Sequence, residues 1–265
     1  MRVKHWAMAL AILLIAAVAS YILLKGDEEL APEAAVTEIA PPPPSPVISP
    51  AAVALPEHPA VLYPIDPSPS ETPLPELGES DALFRNALAE VLGSKGLSLL
   101  LSEQLIHHLV VTIDNLPRKH LAANAVPLKH AEGSFVTEKL EDAVTIGAQN
   151  AKRYAAYAAL ARTVNSEKLV GIYRRFYPLF QRAYHEIGYP DGHFNDRLIV
   201  AIDDLLASPD PEPPIRLSHP KIFFEYADPD LESRSAGQKI MMRIGRDNAA
   251  EAKTRLREIR QLLVR

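Results

Sequence analysis

Proline divides this chain before anything else does. Fourteen of its 24 prolines fall in residues 26–76, including the run Pro41–Pro44. Proline at that density removes amide donors and blocks helices and central strands. Alanine and valine fill most gaps with no amphipathic period. Residues 26–76 therefore read as a disordered, semi-rigid spacer leaning to polyproline II. Fully extended, such a spacer would reach about 160 Å. Its function is read as a tether, with docking to a proline-recognising partner as the alternative.

Charge divides the chain at the same places. Residues 1–25 hold three basic residues and no acidic one. The spacer holds nine acidic residues and no basic one, and residues 77–265 hold 25 basic and 24 acidic. The net charge of −5 thus belongs mostly to the spacer. A near-neutral C-terminal part argues against a large nucleic-acid surface. Cysteine is absent, which excludes a disulfide scaffold, a thiolate metal site and a cysteine nucleophile.

Residues 6–24 run from Trp6 to Leu24 without a charge, proline or glycine. Nineteen helical residues span about 28 Å, close to a bilayer's hydrocarbon core. Arg2 and Lys4 precede the segment, and beyond Lys25 no basic residue occurs before Arg85. The positive-inside rule then places the N-terminus in the cytoplasm and the rest outside. The competing reading is a signal peptide cleaved after Ala17-Val18-Ala19. The apolar stretch continues past that point through Tyr21-Ile22-Leu23-Leu24, which favours an uncleaved anchor. The expectation is a single-pass protein of a bacterial inner membrane. Residues 1–25 form its cytoplasmic tip and anchor, residues 26–76 its linker, and residues 77–265 a periplasmic globular domain.

That domain reads as mainly α, a helical bundle-like body with at most a small β element. Ser80 opens an apolar-periodic helix that Gly93 can end, and Ser102 begins a second, with Leu105, Ile106, Leu109, Val110 and Ile113 on its face, that stops at Pro117. Phe135–Thr137 and Ala143–Ile146 suggest a small hairpin. A helix carrying Tyr154 and Tyr157 follows, then a longer one from Asn165 or Ser166 to Gly188, with a kink expected at Pro178. A short helix over 192–206, a proline-rich loop over 209–220, a strand over 221–227, a helix over 229–244 and a last helix from Asp247 complete the body.

The segments Tyr177-Pro178-Leu179-Phe180, Gly188-Tyr189-Pro190 and Phe194-Asn195-Asp196-Arg197 are distinctive together. With Asp114-Asn115-Leu116-Pro117, Ala227-Asp228-Pro229 and Ala236-Gly237-Gln238-Lys239, they resemble a bacterial membrane-anchored family, domain of unknown function 3014. The resemblance covers most of residues 76–263. It implies an envelope protein with an anchor, a variable proline-rich linker and a helical domain. It carries no assigned activity and so no catalytic residue.

The residues themselves offer little catalytic chemistry. There is no phosphate-binding glycine loop, no His-Glu-x-x-His and no Gly-x-Ser-x-Gly. His185, Asp191 and His193 span a helix end and match no ligand spacing, so no metal and no cofactor is expected. Asp196 and Asp203 share a helix face but stand roughly 10 Å apart along the axis, at the limit for paired-carboxylate hydrolysis. Ser235 and Lys239 have the spacing of a dyad without a sign of desolvation.

The more informative polar sets lie at helix ends: Asp114, Asn115 and Arg118; Asn195, Asp196 and Arg197; Gln238 and Lys239. They read as a buried network tying helices together, or as a groove for a peptide or glycan. Gly237, inside a helix, points to close backbone approach. The functional expectation is a non-enzymatic envelope protein whose exported domain binds a protein or cell-wall partner and no nucleic acid. The alternatives are an envelope hydrolase or transferase acting on peptidoglycan or lipid-linked glycan, and a structural subunit of a membrane complex.

Overall fold

The computed structural model describes residues 60–67, 73–121, 126–129, 134–163, 165–219 and 224–265. The anchor expected over 6–24, the alternative cleavage point after Ala19 and most of the expected spacer lie outside these residues. Among the described residues no helix is long and apolar enough to cross a membrane.

The chain enters through a short 3-10 turn, Leu77–Glu79, and runs into α1, Asp81–Leu97. Ser80 precedes α1, but its hydroxyl donates back to the Leu77 carbonyl at 2.7 Å instead of capping the helix. Gly93 does not end α1. It adopts φ 63°, ψ 179°, which bends the helix and lets it continue to Leu97. That conformation is open to glycine because no Cβ is present to clash.

Helix α2, Leu105–Asn115, starts three residues later than Ser102. Gln104 is left-handed there, and its amide and that of Leu105 donate to the Asp81 carboxylate at 2.6 and 2.8 Å. The first residue of α1 thus caps α2 in place of a local serine.

The hairpin forms as β1, Thr137–Leu140, and β2, Ala143–Ile146. Two further strands join it: β3, Arg216–Ser218, and β4, Glu225–Tyr226. All pairs are antiparallel in the order β1-β2-β3-β4. The proline-rich segment after 209 therefore contains a strand, since proline-free Arg216–Ser218 can pair fully with β2.

Between the hairpin and β3 come α3 (Asn150–Arg153), α4 (Ala155–Thr163), α5 (Ser166–Glu186) and α6 (Phe194–Leu206). Asn165 caps α5 by accepting from the Lys168 amide at 2.9 Å. Helix α5 runs through Pro178 as one element. The single helix expected over 229–244 is split into α7 (Pro229–Glu232) and α8 (Ala236–Arg243), because Asp228 and Ser235 each cap a new start. The last helix, α9, spans Arg246–Leu263.

Helices α2, α5, α6 and α9 pack on one another, with α1 and α4 closing the flank. Their shared core is aromatic at its centre: Phe180 and Phe194 stack at 5.6 Å, and Phe84 and Tyr173 meet Phe180 edge-on. A second, smaller core joins Leu217, Tyr226 and Met242 under the sheet. All eight residues of α8 are buried. Met241 belongs to the large core and Met242 to the small one, so α8 joins the two layers. The body is mainly helical with a small antiparallel sheet.

Packing begins before Leu77, within the segment read as linker. Tyr63, Ile65 and Leu74 lie against the large core. The amides of Leu62 and Tyr63 donate to the Asp196 carboxylate at 3.0 and 2.8 Å. Proline hinders regular structure but leaves the residues between prolines free to dock.

Candidate functional site

Asp114 ends α2 with 7 % of its side chain exposed. A carboxylate so buried needs compensation by charge and hydrogen bonds. Arg197 supplies it from the first turn of α6, donating from Nε to Oδ1 at 2.9 Å and from Nη2 to the Asp114 carbonyl. Arg118, one turn beyond, donates from Nη2 to Oδ2 at 2.7 Å. The Tyr189 hydroxyl also reaches Oδ2, at 3.3 Å, and accepts from Arg118. Tyr189 is held in place by stacking on Tyr184, rings 4.5 Å apart. Asn115 sits next door, but its side chain donates to the Val111 carbonyl of its own helix at 2.7 Å.

The second set is built around Asn195, which is fully buried. It accepts from the Tyr173 hydroxyl at 3.2 Å and donates to the Tyr63 carbonyl at 2.9 Å. Its neighbour Asp196 holds the Leu62 and Tyr63 amides. Asn195 and Asp196 therefore fasten residues 62 and 63 to the first turn of α6, while Arg197 faces the other way, to Asp114.

The third set gathers at the start of α8. The Ala236 and Gly237 amides donate to the carbonyls of Arg118 and Leu116, at 2.6 and 2.9 Å. The unsatisfied donors opening α8 thus meet the unsatisfied acceptors closing α2. Gly237 allows this: a Cβ there would lie 3.1 Å from the Leu116 carbonyl oxygen and 2.6 Å from a Leu205 methyl. The Ser235 hydroxyl accepts from the Gln238 amide and donates to Asp204 Oδ2 at 2.6 Å. Gln238 donates to the Asp204 carboxylate and carbonyl at 3.1 and 3.0 Å. Burial pushes the Asp204 carboxyl above its ordinary range, partly offset by the Ser235 bond and by Arg197.

Lys239 points away from that group. Its buried ammonium meets Glu232 Oε1 at 2.7 Å and the Glu232 carbonyl at 3.3 Å. The Tyr226 hydroxyl donates to the Lys239 carbonyl at 3.1 Å, and burial drives that phenol up to about 12.

The structure therefore brings Asp114, Arg118 and Arg197 together. It places Gln238 beside Asp204, Lys239 in a separate pair, and Asn115 in no shared cluster. Asp203 pairs with Arg260 through both oxygens, at 2.6 and 3.0 Å, while Asp196 is engaged with the Leu62 and Tyr63 amides. His185 contacts Gln181 within α5, and His193 precedes α6 without capping it. Among the described residues no group of three or more His, Asp and Glu side chains converges as a metal site.

A cleft of about 440 Å³ lies elsewhere, between the β1–β2 hairpin, residues 210–215 and the junction of α8 and α9. Lys139, Arg243 and Arg246 line it together with Glu138 and Asp210, on walls that include Ile146, Ile215 and Met241. The Arg243 guanidinium is buried and lies over the rings of Tyr226, at 5.3 Å, and Phe135, at 6.0 Å. Sequence reasoning missed this residue. Its signal was an arginine inside the apolar run Ile240 to Ile244, where a solvated charge has no place.

A family model described as protein of unknown function (DUF3014) matches residues 105–260. The match covers more than half of the chain, so the chain belongs to that family. It includes α2 to α8, most of α9 and the polar sets apart from Leu62 and Tyr63. No curated protein matches the chain. No solved structure matches it either.

Proposed function

We propose that this DUF3014 protein is a membrane-tethered binding protein of the bacterial envelope, whose cleft beside the sheet takes a peptide or glycan partner. The anchor over 6–24 holds it in the inner membrane with the N-terminus in the cytoplasm. The proline-rich segment carries the domain into the periplasm.

The observation that supports a binding role is the division of the polar residues. Asp114, Arg197, Asp204, Gln238 and Lys239 engage each other and the ends of helices. Their arrangement stabilises the fold and presents no acid–base pair to a substrate. The cleft differs in its setting: its charged side chains stand on largely apolar walls, with Arg246 and Asp210 paired to Glu212 and Lys253. Polar groups on a carbon surface orient a ligand by hydrogen bonds while apolar contact supplies affinity. With the body near electrical neutrality, recognition rests on this local arrangement.

The test is site-specific photocrosslinking in living cells. Probes go at Leu140 and Arg246 near the cleft, and at Gly171 on the exposed side of α5. A discrete adduct from the first two positions, absent at Gly171, supports the assignment. Equal labelling at all three, or none above background, sinks it.

A further inference from the structure

Packing leaves an unfilled recess in the large core. A cavity of about 150 Å³ lies where α1, α2, α5, α6 and α9 meet, and no polar atom contributes to its wall. Its deep side is formed by buried Phe194, Ile202 and Leu205. Its outer side is formed by Leu109, Ile172 and Leu198, which are half-buried.

Protein interiors pack at crystal-like density, and voids well above the size of a water molecule are few. Water gains nothing in this one, since each buried water needs two or more polar partners. A carbon-lined cavity of about this size in another protein stays dry and takes up benzene. A ligand that fills it must therefore be hydrocarbon, with room for about six carbon atoms. The gradient from buried to half-buried lining adds direction. It suits a molecule whose apolar end lies deep and whose polar end stays at the surface, as with side chains that bury a stem and solvate a head.

We infer that this cavity binds the alkyl end of a single-chain amphiphile. The site is independent of the cleft beside the sheet and shares none of its residues.

The experiment uses the full chain with methyl-labelled Ile, Leu and Val, handled in fluorinated surfactant so that no hydrocarbon tail competes. 1-Hexanol and benzene are titrated separately. The expected result is a saturable shift of the Leu109, Ile202, Leu205 and Ile259 methyls with 1-hexanol. Ala201→Leu, which places a larger side chain on the wall, should weaken binding about tenfold or more. Should that variant fail to fold, Leu205→Ala serves instead: it enlarges the void and should retain binding while admitting 1-octanol. Shifts that grow linearly without saturation overturn the inference. So do shifts spread to exposed Val61 and Leu140. Binding of benzene without 1-hexanol overturns it too, since that would mark a closed ring-shaped pocket.

Discussion

Arg197 and Asp114 join the first turn of α6 to the last turn of α2, Nε to Oδ1, at 2.9 Å with both side chains largely withdrawn from water. Removing one member of such a pair leaves the other charge buried without its counter-charge. Asp114→Ala should therefore destabilise the domain by about 3 kcal/mol. Arg118 binds the same carboxylate with its side chain 48 % exposed, and solvent screens it. Arg118→Ala should cost at most about 1 kcal/mol. Urea unfolding of both variants measures the difference. Equal costs would show that the burial of the Arg197 pair carries no special weight.

The two glycines at 237 and 171 should respond to alanine with opposite signs. At Gly237 the new methyl meets the Leu116 carbonyl, which is fixed by the hydrogen bond it accepts from the same residue. Relief requires α8 to move off α2, at a net cost on the order of 1 kcal/mol after the gain in helix propensity. At Gly171, in the middle of α5, nothing stands within 4 Å of the new methyl. Gly171→Ala should stabilise by about 0.5–1 kcal/mol. Melting temperatures moving in the same direction would contradict the packing described at α8.

The Lys239–Glu232 pair is unequal, because Lys239 is buried and Glu232 is 30 % exposed. Glu232→Ala takes the carboxylate from a buried ammonium and also the acceptor for the Tyr226 amide. Its expected cost is about 3 kcal/mol. Lys239→Met keeps the packing volume and leaves Glu232 bonded to Tyr226 and partly hydrated. It should stay within about 1 kcal/mol of the parent. Comparing denaturation midpoints of the two variants checks the asymmetry.

Much of the helical order was legible in the sequence. Apolar periodicity marked α2 and α9, and the two cap candidates Asn165 and Ser166 bracketed the start of α5, where Asn165 is the cap. Asp, Asn and Arg beside proline stops and caps drew attention to the helix ends, where the structure joins Asp114, Arg118 and Arg197 but leaves Asn115 within its own helix and Lys239 with Glu232. Three features were hidden. Asp81 caps α2 from another helix, a tertiary contact that leaves no local pattern. Gly93 looked like a stop and proved to be a bend. The strand β3 hid among prolines, since three residues carry no period and their pairing depends on the distant β2. The cleft around Arg243 was invisible for the same reason: its lining comes from segments a hundred residues apart.

Asp204 gives the domain a pH signature. Burial raises its folded pKa above the ordinary 3.8, so the native state binds this proton more tightly than the unfolded chain does. Between the two values the folded state holds more protons, and stability falls as pH rises. The contribution of Asp204 is fully present below 3.8 and lost once the pH passes its folded value. Asp204→Asn removes the ionisation and keeps an acceptor for Ser235. The difference in unfolding free energy between parent and variant, followed from pH 3 to pH 7, should shift steadily in favour of the variant. A flat difference, or one that moves toward the parent, would refute the burial-driven shift.

Residues 62 and 63 are held to the body by polar contacts at the first turn of α6. Asp196 accepts the Leu62 and Tyr63 amides, and Asn195 donates to the Tyr63 carbonyl, so three hydrogen bonds hold these residues to the start of α6. Leu62 itself is exposed, and Tyr63 contributes modest apolar contact. The polar bonds therefore dominate the docking. Hydrogen bonds to a charged acceptor are worth about 1.5–3 kcal/mol each, less where water competes. Asp196→Ala should release the segment without unfolding the body, because the large core needs neither oxygen. Hydrogen exchange reads this directly. The Leu62 and Tyr63 amides should lose protection by about tenfold or more, while amides of α5 and α9 keep theirs. Asp196→Asn retains one acceptor oxygen and should lose less. Protection unchanged in Asp196→Ala would mean that apolar contact alone holds the segment. Protection lost throughout the body would mean that residues 60–67 are part of the cooperative fold.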